Sequence, residues 1–140
     1  MPGAERSFID SNIVLYALDT DVRKHDLAWD LLFTKPVVSI QVLNECSNVL
    51  SRKRKWSIEQ IAETLDSLLQ FVSVESTDVA TVRSAWKVQG RYGFSYYDSL
   101  IIATALAADC TRLYSEDMQH GQVIAGRLTI IDPFSEEAIM

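Results

Sequence analysis

Five short apolar and β-branched runs, separated by stretches with apolar residues at helical spacing, constrain this chain more than any other feature. They are Phe8-Ile9, Val37-Val38-Ser39-Ile40, Phe71-Val72-Ser73-Val74, Thr111-Arg112-Leu113-Tyr114 and Leu128-Thr129-Ile130-Ile131. Runs this short suit strands, and what lies between them is long enough for helices. Strands that alternate with helices bury their faces most readily in a parallel sheet with helices on both sides. The pattern predicts an α/β fold: a three-layer α/β/α sandwich with a mainly parallel central sheet of about five strands. A chain of 140 residues is the size of one domain, so residues 1–140 are read as a single unit.

Parallel strands place their carboxyl ends along one edge, which is where open α/β sheets hold ligands. Four acids fall at matching places. Asp10 follows Phe8-Ile9 and precedes Ile13, Tyr16 and Ala17, which have helical spacing. Glu45 sits on a helix expected from about Gln41, where Val42, Leu43, Cys46, Val49 and Leu50 form one apolar arc. At about 100° per residue Glu45 lies roughly 40° outside that arc, beside Val49. Asp98 falls in the first turn of a helix opened by Ser95, a pattern like a capping box with a shortened acid. The body of that helix, Leu100 to Leu106, is almost wholly apolar, so it is expected at the centre. Asp117 follows the fourth run, within Ser115-Glu116-Asp117-Met118. Singly, each acid has a structural explanation: a cap, a helix dipole, a capping box or a turn. Four such placements sharing one sheet edge point to a site.

The remaining signals fill in the frame. Asp21 to Phe33 reads as a helix that buries Leu27, Leu31 and Leu32, and Pro36 prevents its continuation. Ser57-Ile58-Glu59-Gln60 reads as a capping box for a helix reaching about Leu69. A long helix opening at Ser76 or Thr77 and ending near Gly90 carries Arg83, Lys87 and Arg91 on one face. Arg52 to Lys55 closes the helix that bears Glu45, and Gly121 and Gly126 bracket a loop.

Composition narrows the function classes. No apolar run approaches the roughly 20 residues of a membrane span, and Met1 to Ser7 lacks the apolar core of a signal peptide. A soluble, non-exported, cytoplasmic protein is expected. Cys46 and Cys110 lie within apolar patterns and read as buried free thiols. With two His residues and no Cys-x-x-Cys pair there is little to hold zinc, so any metal would be bound by oxygen, which selects Mg²⁺ or Mn²⁺. The formal net charge of −6 does not suggest a nucleic-acid binder. Acids gathered around cations, with basic clusters elsewhere, leave that class open.

Taken together, these residues resemble the PIN-domain family and are most similar to its VapC-type toxins of toxin–antitoxin pairs. Phe8-Ile9-Asp10-Ser11-Asn12 resembles the first family motif, and Glu45 stands where the family has its helix-borne Glu. Gly93-Phe94-Ser95-Tyr96-Tyr97-Asp98 with Ile102-Ala103-Ala105 resembles the third motif, and Ser115-Glu116-Asp117-Met118 the fourth. Between Glu116 and Asp117 the family pattern favours Asp117. The resemblance covers essentially the whole chain and implies an endoribonuclease acting on tRNA, rRNA or mRNA. It also implies a homodimer and inhibition by a cognate antitoxin.

The residues themselves support that chemistry. Crowded carboxylates repel one another unless a divalent cation relieves the conflict, and such a cation can activate water for attack on a phosphodiester. Asp10 and Asp98 are read as the main metal ligands, and Glu45 and Asp117 as further ligands or water-orienting bases. Asn12 and Ser115 are read as hydrogen-bonding the carboxylates or a phosphate oxygen. A non-catalytic RNA- or protein-binding module is the alternative. An aspartyl-phosphate protein of phosphatase or receiver type fits less well, because the last Lys is the helical Lys87 and Asn12 replaces the second Asp of the phosphatase motif.

Overall fold

A computed structural model of the protein describes residues 5–135. Residues 1–4, part of the opening segment read for a signal peptide, lie outside the described residues. The elements run β1 (Ser7–Ile9), α1 (Ser11–Ala17), α2 (Val22–Leu32), β2 (Val37–Ser39), α3 (Ile40–Arg52) and α4 (Ile58–Leu68). They continue with β3 (Ser73–Glu75), α5 (Val79–Tyr92), α6 (Tyr96–Ala107), β4 (Arg112–Tyr114), β5 (Val123–Ile124) and β6 (Leu128–Ile131).

The described strands form one sheet in the order β3-β2-β1-β4-β6-β5, parallel throughout except that β5 runs antiparallel to β6. In a strand, neighbouring side chains point to opposite faces. Phe8 and Ile9 are both 0 % exposed, and Val37, Val38 and Ser39 are all buried. Both faces of the central strands are therefore covered, which makes the fold three-layered as the alternating pattern predicts. From β1 the chain steps outward to β2 and β3, then crosses back to place β4 on the other side of β1. That reversal opens a crevice at the carboxyl ends of β1 and β4. Their registers align Ile9 with Tyr114, and the Asp10 N–H donates to the Tyr114 carbonyl at 3.0 Å.

Four boundaries differ from the sequence reading, three for a local reason and one for a distant contact. The helix bearing Glu45 starts at Ile40, because the buried Ser39 hydroxyl caps it by accepting the Val42 N–H at 3.2 Å. Asp78, not Ser76 or Thr77, caps α5, accepting both the N–H and the hydroxyl of Thr81 at 2.9 and 2.8 Å. That helix runs through Gly90 and stops at Gly93, whose φ of +79° suits a residue without Cβ. Phe71 lies in a 3-10 turn, not a strand, packed edge-on against Trp29 with ring centroids 5.2 Å apart. The sixth strand, β5, is two residues long, too short to carry a periodicity.

Three other expectations, on a cap, the thiols and the central helix, hold. Ser57 and Gln60 form the reciprocal capping box of α4. Cys46 and Cys110 are buried and free. Residues Ser99 to Ala105 of α6 are buried without interruption. Among the described residues no helix is long and apolar enough to cross a membrane.

Leu113 is 0 % exposed on β4, between β1 and β6. Leu113→Ala is expected to lower unfolding free energy by about 2–5 kcal/mol, the usual range for a buried leucine truncation. Urea denaturation monitored by circular dichroism would check this, and a loss below about 1 kcal/mol would show that the sheet collapses readily around the gap.

Candidate active site

Asp10 ends the central strand and begins α1. It is only 5 % exposed, and its side chain does two things. One oxygen, Oδ1, accepts the Ser11 N–H at 2.7 Å and so caps the helix, as the simpler reading proposed. The other, Oδ2, accepts the Ser115 hydroxyl at 2.9 Å. Capping and membership of an acidic site are therefore both true of this residue.

The next residues reach in opposite directions. The Ser11 hydroxyl donates to Glu45 Oε2 at 2.5 Å, and the Cys46 thiol lies 3.8 Å from the Ser11 carbonyl, so α3 is tied to the start of α1. Asn12 faces the turn after β4. Its Nδ2 donates to Asp117 Oδ2 at 3.0 Å and approaches the Ser115 hydroxyl at 3.5 Å, while its Oδ1 accepts the Glu116 N–H at 3.2 Å. The Ser115 hydroxyl also accepts the Asp117 N–H at 3.2 Å.

Asp98 enters from α6. Ser95 caps that helix by accepting the Asp98 N–H at 3.1 Å, and Gln41 of α3 donates to the Tyr97 carbonyl at 3.2 Å. The last bond draws the first turn of α6 toward the helix that carries Glu45. The structure thus gathers Asp10, Glu45, Asp98 and Asp117 at the carboxyl edge of the sheet, with Asn12 and Ser115 between them.

The electrostatics report that crowding. Burial pushes the Asp10 carboxyl up to about 6; bonds from Ser11 and Ser115 oppose the rise, and the charges of Glu45 and Asp98 add to it. Asp98 is also raised, mainly by burial, with Ser95 opposing and Asp117 and Glu45 reinforcing. Asp10 and Asp98 thus each stand close enough to feel the charge of two other acids. Among the described residues no three His, Cys, Asp or Glu side chains stand at metal-ligand spacing: Glu45 is turned onto Ser11 and Asp117 onto Asn12. The donor set is nonetheless all oxygen, which matches a hard divalent ion. A cation among these groups would lower the cost of ionising Asp10 and Asp98 together.

The bond from Ser11 to Glu45 has no signal in the sequence beyond the adjacency of Ser11 to Asp10. Glu116 is engaged elsewhere, with Tyr16 and Lys24, which leaves Asp117 as the acid of its motif that faces Asn12. In the basic cluster after α3, Arg54 is spent on structure, lying 3.5 Å from the Leu18 carbonyl and 3.4 Å from Asp19. Arg83, Lys87 and Arg91 are exposed on α5 and make no ion pair among the described residues. Trp56, Tyr92 and Tyr96 pack against buried clusters, while Trp86 and Tyr97 are exposed.

Comparison with known proteins follows the same lines. The family model described as PIN domain matches residues 7–124. Among solved structures, a toxin–antitoxin complex from Klebsiella pneumoniae is similar with a TM-score of 0.70 at 18 % identity, covering 91 % of this chain and 98 % of that one. Mycobacterium tuberculosis VapC20, described as a sarcin-ricin loop cleaving toxin, matches with a TM-score of 0.62 at 20 % identity over 76 % and 86 % of the two chains. VapBC2 from Rickettsia felis, bound to a DNA fragment from its promoter, gives 0.64 at 21 % identity over 89 % and 96 %. No curated protein matches the sequence at a significant level.

The raised Asp10 has a pH signature. Its folded value, about 6, exceeds the ordinary 3.8, so between roughly pH 4 and 6 the folded state holds a proton that the unfolded chain has lost. Stability from this group is then present at low pH and falls as pH rises through that window. At about 1.4 kcal/mol per unit, metal-free Asp10→Asn should exceed the wild type by roughly 2–3 kcal/mol at pH 8, with the gap closing toward pH 4. Chemical denaturation in EDTA across that range is the check; parallel pH profiles for the two proteins would show that Asp10 titrates normally.

Proposed function

The chain belongs to the PIN-domain family, and on that footing we propose that it is a metal-dependent endoribonuclease, the toxin of a VapBC-type pair. The observation that carries this reading is the buried Asp10 at the β1/β4 crevice, coupled to Glu45 and Asp98 and bridged through Ser115 and Asn12 to Asp117. Asp10 and Asp98 would hold a Mg²⁺ or Mn²⁺ ion, with Glu45 and Asp117 completing its surroundings once they leave Ser11 and Asn12. Bound there, such an ion supplies an activated water and offsets charge on the departing oxygen of an RNA phosphodiester.

The protein's own groups perform the remaining work. Ser115 holds Asp10 by one oxygen and the Ser11 N–H holds the other, so the buried carboxylate has a fixed plane. Glu45 and Asp117, both reached from solvent, are free to take a proton from the attacking water or to orient it. No protein nucleophile is required. A single domain, a homodimer, a cytoplasmic location and a small antitoxin partner belong to the same proposal. The antitoxin is supported by the toxin–antitoxin assemblies among the similar structures. Receiver-type chemistry is disfavoured by the sheet, since receiver domains order their strands 2-1-3-4-5 and this chain does not.

Incubated with a total-RNA pool, the purified protein should produce fragments in Mn²⁺ or Mg²⁺ and none in EDTA. Asp10→Asn and Asp98→Asn should each reduce the cleavage rate at least about 100-fold while staying folded. Retained RNA binding with no cleavage in either ion would move the assignment to a binding module.

The exposed face of α5 leads toward Asp98, because α5 and α6 are joined by the short turn at Gly93. Replacing Lys87 and Arg91 with Gln should weaken RNA binding and reduce the salt slope by up to about 0.7 per lost phosphate contact. Identical slopes in a filter-binding titration would remove both residues from the RNA path.

A further inference from the structure

Beside the acidic site lies a second polar network that the proposed chemistry does not use. Tyr16 follows Asn12 by one turn of α1, so both side chains project from the same face. Asn12 meets the turn after β4 at Ser115, Glu116 and Asp117. Tyr16 meets the same turn at Glu116, its hydroxyl donating to Oε1 at 2.5 Å. Lys24, from α2, donates to the Tyr16 hydroxyl at 3.0 Å and to Glu116 Oε2 at 2.8 Å.

Each polar atom in this triad is matched. The Tyr16 oxygen gives its proton to Glu116 and accepts one from Lys24, and both Glu116 oxygens are occupied. The Lys24 ammonium also lies 4.5 Å from the Tyr16 ring centroid and 5.3 Å from that of Phe134, whose ring meets Tyr16 edge-on at 5.0 Å. Arg23 holds the Phe134 carbonyl at 3.2 Å. These contacts join residues about 100 positions apart and leave Lys24 and Glu116 each 27 % exposed. Bonds to charged groups in partly buried places are the stronger kind.

We propose that Tyr16, Lys24 and Glu116 are positioning residues: a clamp that fixes the Ser115–Asp117 turn, presents Asp117 to the acidic crevice, and keeps the neighbouring Glu116 carboxylate out of it. The clamp rests on the nuclease reading for its purpose but not for its existence. Glu116 is adjacent in sequence to Asp117, and unclamped it would bring another negative charge to a site where Asp10 and Asp98 already oppose ionisation. Lys24 neutralises it in place. The turn is held from two helices at once, by Asn12 and Tyr16 of α1 and by Lys24 of α2.

The test uses the full chain as Tyr16→Phe, which removes one oxygen, Lys24→Met, and Lys24→Arg as the conservative variant. The first readout is backbone hydrogen exchange at Glu116 and Asp117, whose N–H groups are held by Asn12 and Ser115. Exchange should quicken about tenfold or more in Tyr16→Phe and Lys24→Met, with circular dichroism and the melting temperature close to the wild type, and Lys24→Arg should restore most of the protection. Unchanged exchange overturns the clamp whether or not the protein cuts RNA.

The second readout separates the two proposals. If the wild type cleaves RNA, kcat should fall about tenfold in the first two variants with KM within about twofold; faster exchange with unaltered kcat overturns the positioning role. If the wild type does not cleave, the nuclease reading fails, and Mn²⁺ titration followed by electron paramagnetic resonance decides the clamp. About tenfold weaker Mn²⁺ binding in the variants supports it, and equal binding overturns it.

Discussion

A carboxylate taken out of water at the end of a buried strand is the constraint on which the rest of this molecule depends. Asp10 is 5 % exposed, and the two residues before it are wholly buried. Ionising such a group is unfavourable unless donors or cations surround it. The fold supplies donors first. The backbone N–H of Ser11, at the turn into α1, takes one oxygen, and the hydroxyl of Ser115, delivered by the crossing that sets β4 beside β1, takes the other. Without that strand pairing, Asp10 Oδ2 would lose the Ser115 donor and only the local Ser11 N–H would remain.

Placing three more acids around Asp10 works against those donors. Glu45 and Asp98 raise it, and Asp117 and Glu45 raise Asp98 in turn. The surrounding hydrogen bonds turn the acids toward separate partners: Glu45 to Ser11, Asp117 to Asn12, Glu116 to Tyr16 and Lys24. An arrangement whose burial and like charges resist ionisation is one that a hard divalent ion would relieve, because it would remove several repulsions at once. The same logic explains why α1, only seven residues long, carries so many functional contacts. Its first residue reaches α3, its second reaches the β4 turn, and one turn later Tyr16 secures that turn again.

How much of this was legible beforehand varies with the length scale of the cause. Caps and periodicities are local, so Ser57 with Gln60 and the buried body of α6 could be read directly from residue order. Boundaries were misplaced where two nearby residues compete for one role. Asp78 prevails over Ser76 and Thr77 because it binds both groups of Thr81, and Ser39 ends its strand one residue early because its hydroxyl caps the helix. Phe71 leaves the strand pattern because an aromatic partner, Trp29, lies on another helix. No window of sequence contains that contact. Asp10, Asp98 and Asp117 were identifiable because each follows a strand or opens a helix, positions that a parallel sheet brings to one edge; Glu45 stands one turn further into α3, whose first turn holds no acid.

Residue order by itself therefore determined the fold class and the edge of the sheet that holds the crevice, because both follow from short-range patterning and from the geometry of parallel strands. Only the tertiary structure decided which acid of Glu116 and Asp117 turns toward Asn12, that Ser11 serves Glu45, that Arg54 is committed to Asp19, and that Lys24 and Tyr16 hold the turn after β4. Those choices join residues about 34 to 105 positions apart. They depend on contacts of 2.5 to 3.4 Å between side chains on different elements, and no periodicity along the chain encodes such distances.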